Sequence, residues 1–407
     1  GGAIFLVPEI GLTPQFLARF RARFGERAVA ILHSGLTERE RFDEWRRILR
    51  GEARLVVGPR SAVFAPVRSL RLLVVDEEHD HSYKQEEGLR YQARDVALTR
   101  CALDGAVAVL GSATPSLETL HLAQQGRITL LRLPARVTGR SMPHVEIVDM
   151  REQPVEDPDA PGALLSPPLR DAITENLEAA GQTILLLNRR GFATVVLCTG
   201  CGTHFRCEDC DVSMTYHGRR HAVMCHWCGR TNPLPERCPA CEGHDTLRLT
   251  GRGTERIEEE LRALWPAMRV DRLDADTTRS RSSHRRILDR FRDGEVDLLV
   301  GTQMVAKGHD FPRVTLVGVL QADAALHLPD LRSAERTFQL IAQVAGRAGR
   351  GDLPGRVIVQ TYHPEHHAIA RAATHDYDGF VSWEMPLRQG LGYPPFARMT
   401  MVRVSSP

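Results

Sequence analysis

The sequence predicts an α/β protein of two lobes, each built on a parallel β-sheet, with a small metal-binding module inserted in the second lobe. Three observations carry this reading. Short apolar runs alternate with helical patterns, eight cysteines form four C-x-x-C pairs, and a carboxylate pair directly follows one of the apolar runs. At 407 residues the chain is long enough for two or three domains, each burying its own core. Hydrophobic residues make up 42% and charged residues 26%, an ordinary globular balance. No apolar run approaches the roughly 18 residues of a membrane span, so no membrane partner is expected. The formal net charge is only +2, so any nucleic-acid binding must use local basic patches.

The runs Ala3–Val7, Ala28–Leu32, Leu55–Val57, Leu72–Val75 and Val107–Leu110 lack the alternation of a half-exposed strand. They read as strands of a parallel sheet buried on both faces. Between them, Glu38–Leu49 sets Phe42, Trp45, Ile48 and Leu49 at helical spacing. A second set of runs at Ile184–Leu187, Leu298–Val300, Val314–Leu320 and Val357–Gln360 makes a second lobe. The acidic, proline-rich stretch Arg151–Gly162 reads as loop. The expected organisation is a first lobe at 1–140, a linker at 141–165, and a second lobe at 166–197 and 246–375. The metal module occupies 198–245, and a further domain starts at 376–407. Residue 1 is Gly rather than Met, Ala3–Val7 already reads as a buried strand, and Met399–Val404 alternate like one. Both ends read as running into further structure, which predicts a longer native protein.

The cysteine pairs are Cys198/Cys201, Cys207/Cys210, Cys225/Cys228 and Cys238/Cys241. Two thiolates three apart on a tight knuckle fill two corners of a zinc tetrahedron, and a second knuckle supplies the others. Four knuckles therefore predict two closed, structural four-thiolate zinc sites rather than a disulfide knot. Five residues between Cys201 and Cys207 are cramped for closing a ribbon. Fourteen between Cys210 and Cys225 include the Gly218 turn of a hairpin. A nested arrangement follows: Cys207, Cys210, Cys225 and Cys228 share one zinc, and Cys198, Cys201, Cys238 and Cys241 share the other. His204, His217 and His226 are then not ligands. Cys101 stands alone in a helical pattern and reads as a small core residue.

Leu72–Val75 runs straight into Asp76-Glu77-Glu78-His79. The carboxyl end of a buried parallel strand is where open α/β sheets bind ligands. Asp76 placed there would hold Mg²⁺, and Glu77 would orient or activate an attacking water. Gly111-Ser112-Ala113-Thr114-Pro115 follows the next strand, where the Ser112 and Thr114 hydroxyls could bridge a nucleotide site to DNA. Gln343 through Arg350 (QVAGRAGR) places Arg347 and Arg350 three apart, as on one helical face. Such forked guanidiniums stabilise charge on a transferring phosphoryl group.

These motifs, in this order, resemble the core of superfamily 2 helicases, and specifically the PriA family of primosomal replication-restart helicases. The resemblance covers essentially the whole chain. It rests on Leu6–Ile10 with Leu12–Gln15, Val57–Ala62, Asp76–Asp80 with Ser82–Gln85, and Arg90-Tyr91-x-Ala93-Arg94-Asp95. It continues through Asn188–Gly191, the eight cysteines, Gly251-x-Gly253-Thr254-Glu255, Gly301–Met304 through Pro312, and Gln343–Arg350. The family fold implies two RecA-like helicase lobes. Family activity implies an ATP-dependent DNA translocase that unwinds 3′-to-5′ at abandoned forks and promotes reloading of the replicative helicase. The implied partners are forked and single-stranded DNA, primosome and helicase-loading proteins and single-stranded DNA-binding protein, in the bacterial cytoplasm at the nucleoid. Asp76 and Glu77 would serve Mg²⁺ and water, and Gln343, Arg347 and Arg350 the γ-phosphate of ATP. Pro8, Glu9, Arg60, Thr302, Gln303 and Lys307 fall in segments implied to contact DNA. Tyr83–Tyr91 matches the family's aromatic-rich loop, where Tyr83 and Tyr91 would stack on bases and Lys84 and Arg90 neutralise phosphates. Only two of the 53 lysine and arginine residues are lysines, and both, Lys84 and Lys307, fall in these segments.

The chain departs from the family in one respect. A phosphate-binding loop reads G-x-x-x-x-G-K-[ST], yet Gln85 follows Lys84 and Gly308 follows Lys307. Either the native chain continues upstream, or the protein is a non-catalytic scaffold that recognises branched DNA and recruits the loading machinery.

Overall fold

The computed structural model describes residues 1–8, 14–134, 142–153, 163–187, 195–210, 213–226, 228–249, 254–274, 281–302, 305, 311–326, 330–349 and 354–400. The chain divides into two compact units, residues 1–132 and essentially the remainder.

In the first unit β1 (Gly2–Leu6), β2 (Val29–Ile31), β3 (Leu55–Gly58), β4 (Leu70–Val75) and β7 (Val107–Leu110) form one parallel sheet in the order β2-β3-β1-β4-β7. A short antiparallel hairpin, β5 (Lys84–Gln85) and β6 (Tyr91–Gln92), projects between β4 and β7 in sequence. Helices α1 (Pro14–Phe24), α2 (Glu38–Arg50), α3 (Ala93–Asp104) and α4 (Leu117–Gln124) complete the unit. Local chemistry sets the limits of α2. Thr37 and Glu40 form a reciprocal capping box at its start, and Gly51 at φ 77° takes the left-handed cap. Of the four apolar positions of α2, only Ile48 is buried; Phe42, Trp45 and Leu49 are exposed. The expectation of strands buried on both faces also fails at the sheet's far side. Val107 is 61% and Val109 44% exposed, so one face of β7 is left uncovered among the described residues.

The second unit carries a six-stranded, wholly parallel sheet in the order β15-β16-β9-β17-β18-β8. Its strands are β8 (His144–Asp149), β9 (Gln182–Leu187), β15 (Val270–Leu273), β16 (Leu298–Gly301), β17 (Val314–Leu320) and β18 (Arg356–Thr361). They are flanked by α5 (Pro167–Glu178), α6 (Thr254–Leu264), α7 (Arg281–Asp293), α8 (Ser333–Ala345), α9 (His367–Ala373) and α10 (Tyr377–Gly390). Every residue of β9 is buried, as its run of apolar residues requires.

One expected boundary is corrected, and a second falls on packed structure. The stretch read as linker contains β8, an edge strand paired along its whole length with β18. Its half-polar sequence HVEIVD hid it, because an edge strand need bury only part of its surface. Residues 376–400, expected to begin a further domain, pack against the second unit. Phe380 of α10 stacks on Phe338 of α8 at 4.6 Å, and Arg388, 1% exposed, ties the two helices together. Its guanidinium donates to Glu335 of α8 (2.9 Å) and to Glu384 (3.0 Å), which also meets His367 of α9. Burial pushes the Glu384 carboxyl up, but His367 and Arg388 outweigh it and hold the group below the ordinary range. Glu384 thus adds stability that is complete above the ordinary carboxylate pKa and is lost as pH falls through its lower folded value. Arg388→Met strands two buried carboxylates and is expected to cost about 3–5 kcal/mol, read as a lower urea midpoint.

Candidate functional site

The cysteine module is built on two small antiparallel sheets in the second unit. One pairs β10 (Val196–Cys198) with β14 (Leu247–Leu249); the other joins β11 (Thr215–His217), β12 (Ala222–Met224) and β13 (Thr231–Pro233). The expected hairpin is the β11–β12 pair, turning through Gly218–Arg220 with His221 at φ 44°. Knuckles close by amide-to-carbonyl bonds from Gly202 to Cys198, Gly229 to Cys225 and Glu242 to Cys238. Each closing residue has positive φ, which explains glycine directly after two of the pairs.

The eight thiols form two groups, Cys198/Cys201/Cys238/Cys241 and Cys207/Cys210/Cys225/Cys228, with sulfurs within 4.8 Å of one another in each. The nested pairing is the one observed. Sulfur pairs Cys198–Cys241 (3.6 Å), Cys201–Cys238 (3.7 Å) and Cys207–Cys228 (3.6 Å) match the edge of a zinc tetrahedron, about 3.8 Å for Zn–S near 2.3 Å. Contact with Cys228, burial and Cys225 together hold the Cys210 thiol above its ordinary range, so four thiolates need a cation between them. Neither group contains a histidine. His217 and His226 meet each other instead, at 2.9 Å.

In the first unit, Asp76 and Glu77 follow β4 as expected. The Asp76 amide donates to Leu6 at the end of β1 (2.9 Å), which fixes the turn over the carboxyl edge of the sheet. Burial raises the Asp76 pKa, partly offset by the Glu77 amide. Glu77 sits at φ 47°, a conformation that non-glycine residues seldom adopt and that concentrates at working sites. Its side chain is 36% exposed and lies 3.6 Å from His79 Nδ1. That nitrogen is also 2.7 Å from the Ser112 hydroxyl, whose oxygen accepts from the Thr114 amide (2.9 Å). Glu77, His79, Ser112 and Thr114 thus form a chain of polar contacts beside Asp76.

The aromatic loop is placed differently from the sequence reading. Tyr83 is 0% exposed, and its hydroxyl donates to the Asp76 carbonyl at 2.7 Å. It is a core residue bracing the carboxylate turn, with no ring face open for stacking. Tyr91 is half-buried and meets the exposed Phe64 edge-on at 5.1 Å, while Lys84, Leu89 and Arg90 are exposed. Arg60 donates to the carbonyls of Ser82 (3.1 Å) and Lys84 (2.9 Å), so its guanidinium anchors the loop. Pro8 is buried. Pro8 and Tyr83 are therefore withdrawn from the expected DNA-contacting set, and one Arg60 guanidinium nitrogen is engaged by the loop's own carbonyls.

In the second unit, Thr302 follows β16 and Gln343 lies on α8. Arg347 is not helical: α8 ends at Ala345, Gly346 caps it, and Gly349 takes φ 69°. Arg347 is half-buried in the turn that follows. Glu9, Gln303, Lys307 and Arg350 lie outside the described residues, as do Asn188–Gly191. Sequence reasoning gave no role to Glu78 or Arg94, which the structure buries against Ser116. A charged residue two places after the catalytic-type Asp76 was the available signal.

Residues 1–123 match the DEAD/DEAH box helicase family, residues 207–233 the PriA DNA helicase Cys-rich region (CRR) domain, and residues 243–352 the helicase conserved C-terminal domain. Over 403 residues the chain is 50% identical to Replication restart protein PriA of Bacillus subtilis (strain 168), covering 99% of this chain and 49% of that protein. The same-named protein of Synechocystis sp. is 46% identical over 409 residues, 98% of this chain and 49% of the relative. That of Treponema pallidum is 46% identical over 396 residues, 97% and 59%. The chain thus spans about half the length of the curated relatives it matches. The Mycobacterium smegmatis helicase Lhr bound to ssDNA and AMP-PNP superposes with a TM-score of 0.51 at 15% identity, covering 93% of this chain and 42% of that one. S. cerevisiae Dbp5 bound to RNA and ADP BeF3 gives 0.50 at 14% identity, covering 96% and 81%. At these identities the likeness shows the fold: two RecA-like helicase lobes with parallel sheets.

Proposed function

Because the chain belongs to the PriA family of replication restart proteins, we propose that it is the motor portion of an ATP-dependent DNA helicase. That helicase moves 3′-to-5′ at stalled or abandoned forks and promotes reloading of the replicative helicase. The observation that carries this reading is the strained carboxylate turn Asp76–Glu77, hydrogen-bonded to the hairpin on one side and linked through His79 to Ser112 on the other. Bound Mg²⁺–ATP would supply the transferable phosphoryl group and the charge that orients it. Asp76 would hold the metal, and Glu77 would orient the attacking water. Gln343, Arg347 and Arg350 would stabilise phosphoryl charge, and Thr302, Gln303 and Lys307 would contact DNA. The proposed partners are forked and single-stranded DNA, single-stranded DNA-binding protein and helicase-loading proteins, at the bacterial nucleoid.

On the DNA side, Lys84, Arg90 and Tyr91 remain the contacting groups, joined by Phe64. Binding of a single-stranded oligonucleotide should weaken with salt, as phosphate contacts require. Tyr91→Ala should weaken it by about 1–3 kcal/mol if one base stacks there. Tyr83→Ala should instead lower the unit's stability by about 3–5 kcal/mol, as for other buried aromatics. Fluorescence anisotropy and urea unfolding separate the two effects. Unchanged DNA affinity in the Tyr91 variant would end the stacking role.

A further inference from the structure

Glu78 is the third residue of the carboxylate turn and 1% exposed, and both of its carboxylate oxygens accept hydrogen bonds. One oxygen accepts from the Ser116 amide at 2.7 Å. The other accepts from the Ser116 hydroxyl (3.1 Å), the Thr119 hydroxyl (2.9 Å) and the Arg94 guanidinium (3.2 Å). The same Arg94 nitrogen also donates to the Ser116 hydroxyl. Arg94 is 8% exposed and lies at the start of α3, directly after β6 ends the hairpin. Ser116 caps α4 and closes the Gly111–Pro115 loop. One buried cluster therefore joins the hairpin's exit, the carboxylate turn and the hydroxyl loop. Stability alone gives little reason for a charge pair here, since apolar packing of equal volume is usually at least as stabilising. What a fully bonded buried pair adds is a fixed geometry: α3 cannot shift against Ser116 without stranding a charge.

We propose that Arg94 and Glu78 are positioning residues that transmit occupancy of the hairpin Lys84–Gln92 to the Gly111–Ser116 loop. Tyr83 gives the hairpin's entry a separate link to Asp76, whereas its exit reaches Ser116 through Arg94 and Glu78. The inference rests on the reading that the hairpin contacts DNA, and it needs no nucleotide to be tested.

Hydrogen–deuterium exchange is followed in the 407-residue chain with and without a single-stranded oligothymidylate. DNA is expected to slow exchange at 84–92 and, by about fivefold or more, at the amides of 112–116. The charge-neutral double variant Arg94→Met/Glu78→Gln should keep the protection at 84–92 and lose that at 112–116. Arg94→Lys keeps the buried charge pair, and hence the fold, on a single nitrogen that can donate to both Glu78 and Ser116, as the one Arg94 nitrogen does; it should keep the 112–116 response. The double variant retaining the full response at both segments, or Arg94→Lys losing it at 112–116, overturns the proposal. Absence of protection at 84–92 in the unaltered chain removes the DNA reading beneath it.

Discussion

Metal analysis of the purified chain is expected to give two zinc ions per molecule, and Cys207→Ser with Cys225→Ser to give one. The two sites are nested and share no ligand, so each pair of knuckles should load independently. The outer site keeps its own support, because β10 and β14 pair Cys198 with Leu247 and bring both outer knuckles together whatever the inner site does. The inner site has little else to hold it. Its buried cluster is Val196, Cys207, Met214, Val223 and Cys225, in which two of five members are themselves ligands. A core this small does not stand alone, and structural zinc supplies about 10–16 kcal/mol of apparent binding energy that is also folding energy. Loss of the inner ion should therefore unfold β11–β13, seen as protease cleavage between Cys207 and Cys228. Loss of both ions from that variant, or of neither, would show that the sites are not separable in this way.

Much of the fold was legible because its strands are runs that permit only burial. Ile184–Leu187 has no polar position that could face water, and Val314–Leu320 has only Thr315; they became the centre of the second sheet. The zinc pairing was legible because the five-residue and fourteen-residue gaps differ in what they can span. The misreadings share a cause: a residue type suited to a surface role can equally fill a core. Tyr83 looked like a stacking platform, yet its hydroxyl has a partner in the Asp76 carbonyl, which makes full burial affordable. Arg60, expected in a DNA-contacting segment, gives one guanidinium nitrogen to two backbone carbonyls of the loop. Arg347 was placed on a helix face by spacing, but Gly346 stops the helix before it. The Glu78–Arg94–Ser116 cluster was beyond spacing arguments altogether. Its members lie 16 and 38 residues apart and meet only once β4 and α4 are set by the sheet.

The 407 residues, which contain no G-x-x-x-x-G-K-[ST] sequence, are expected to show no DNA-stimulated ATP hydrolysis above background. The reason is order of assembly. Loop amides and the lysine of such a motif dock the β- and γ-phosphates, and only a docked phosphate can be polarised by metal at Asp76 or met by Arg347. The first relatives matched are about twice as long as this chain, so the decisive test is made in a protein of that length carrying these residues. If that protein carries a phosphate loop, its DNA-dependent ATPase should fall about 10²–10⁴-fold on Glu77→Gln, the range for losing a group that activates or positions the nucleophile. Nucleotide affinity should stay within error, because in the proposed role Glu77 would act on water and not on the phosphates. The left-handed backbone at Glu77 sharpens the test. Glu77→Gly relieves that strain and removes the carboxylate, so it should raise stability while abolishing turnover, whereas a merely structural Glu77 would lose neither rate nor coupling. Should the longer protein lack ATPase activity yet bind forked DNA, with Glu77→Gln changing nothing, the scaffold reading replaces the motor. Vigorous, Glu77-dependent hydrolysis by the 407 residues alone would overturn the account of how this turn meets a nucleotide.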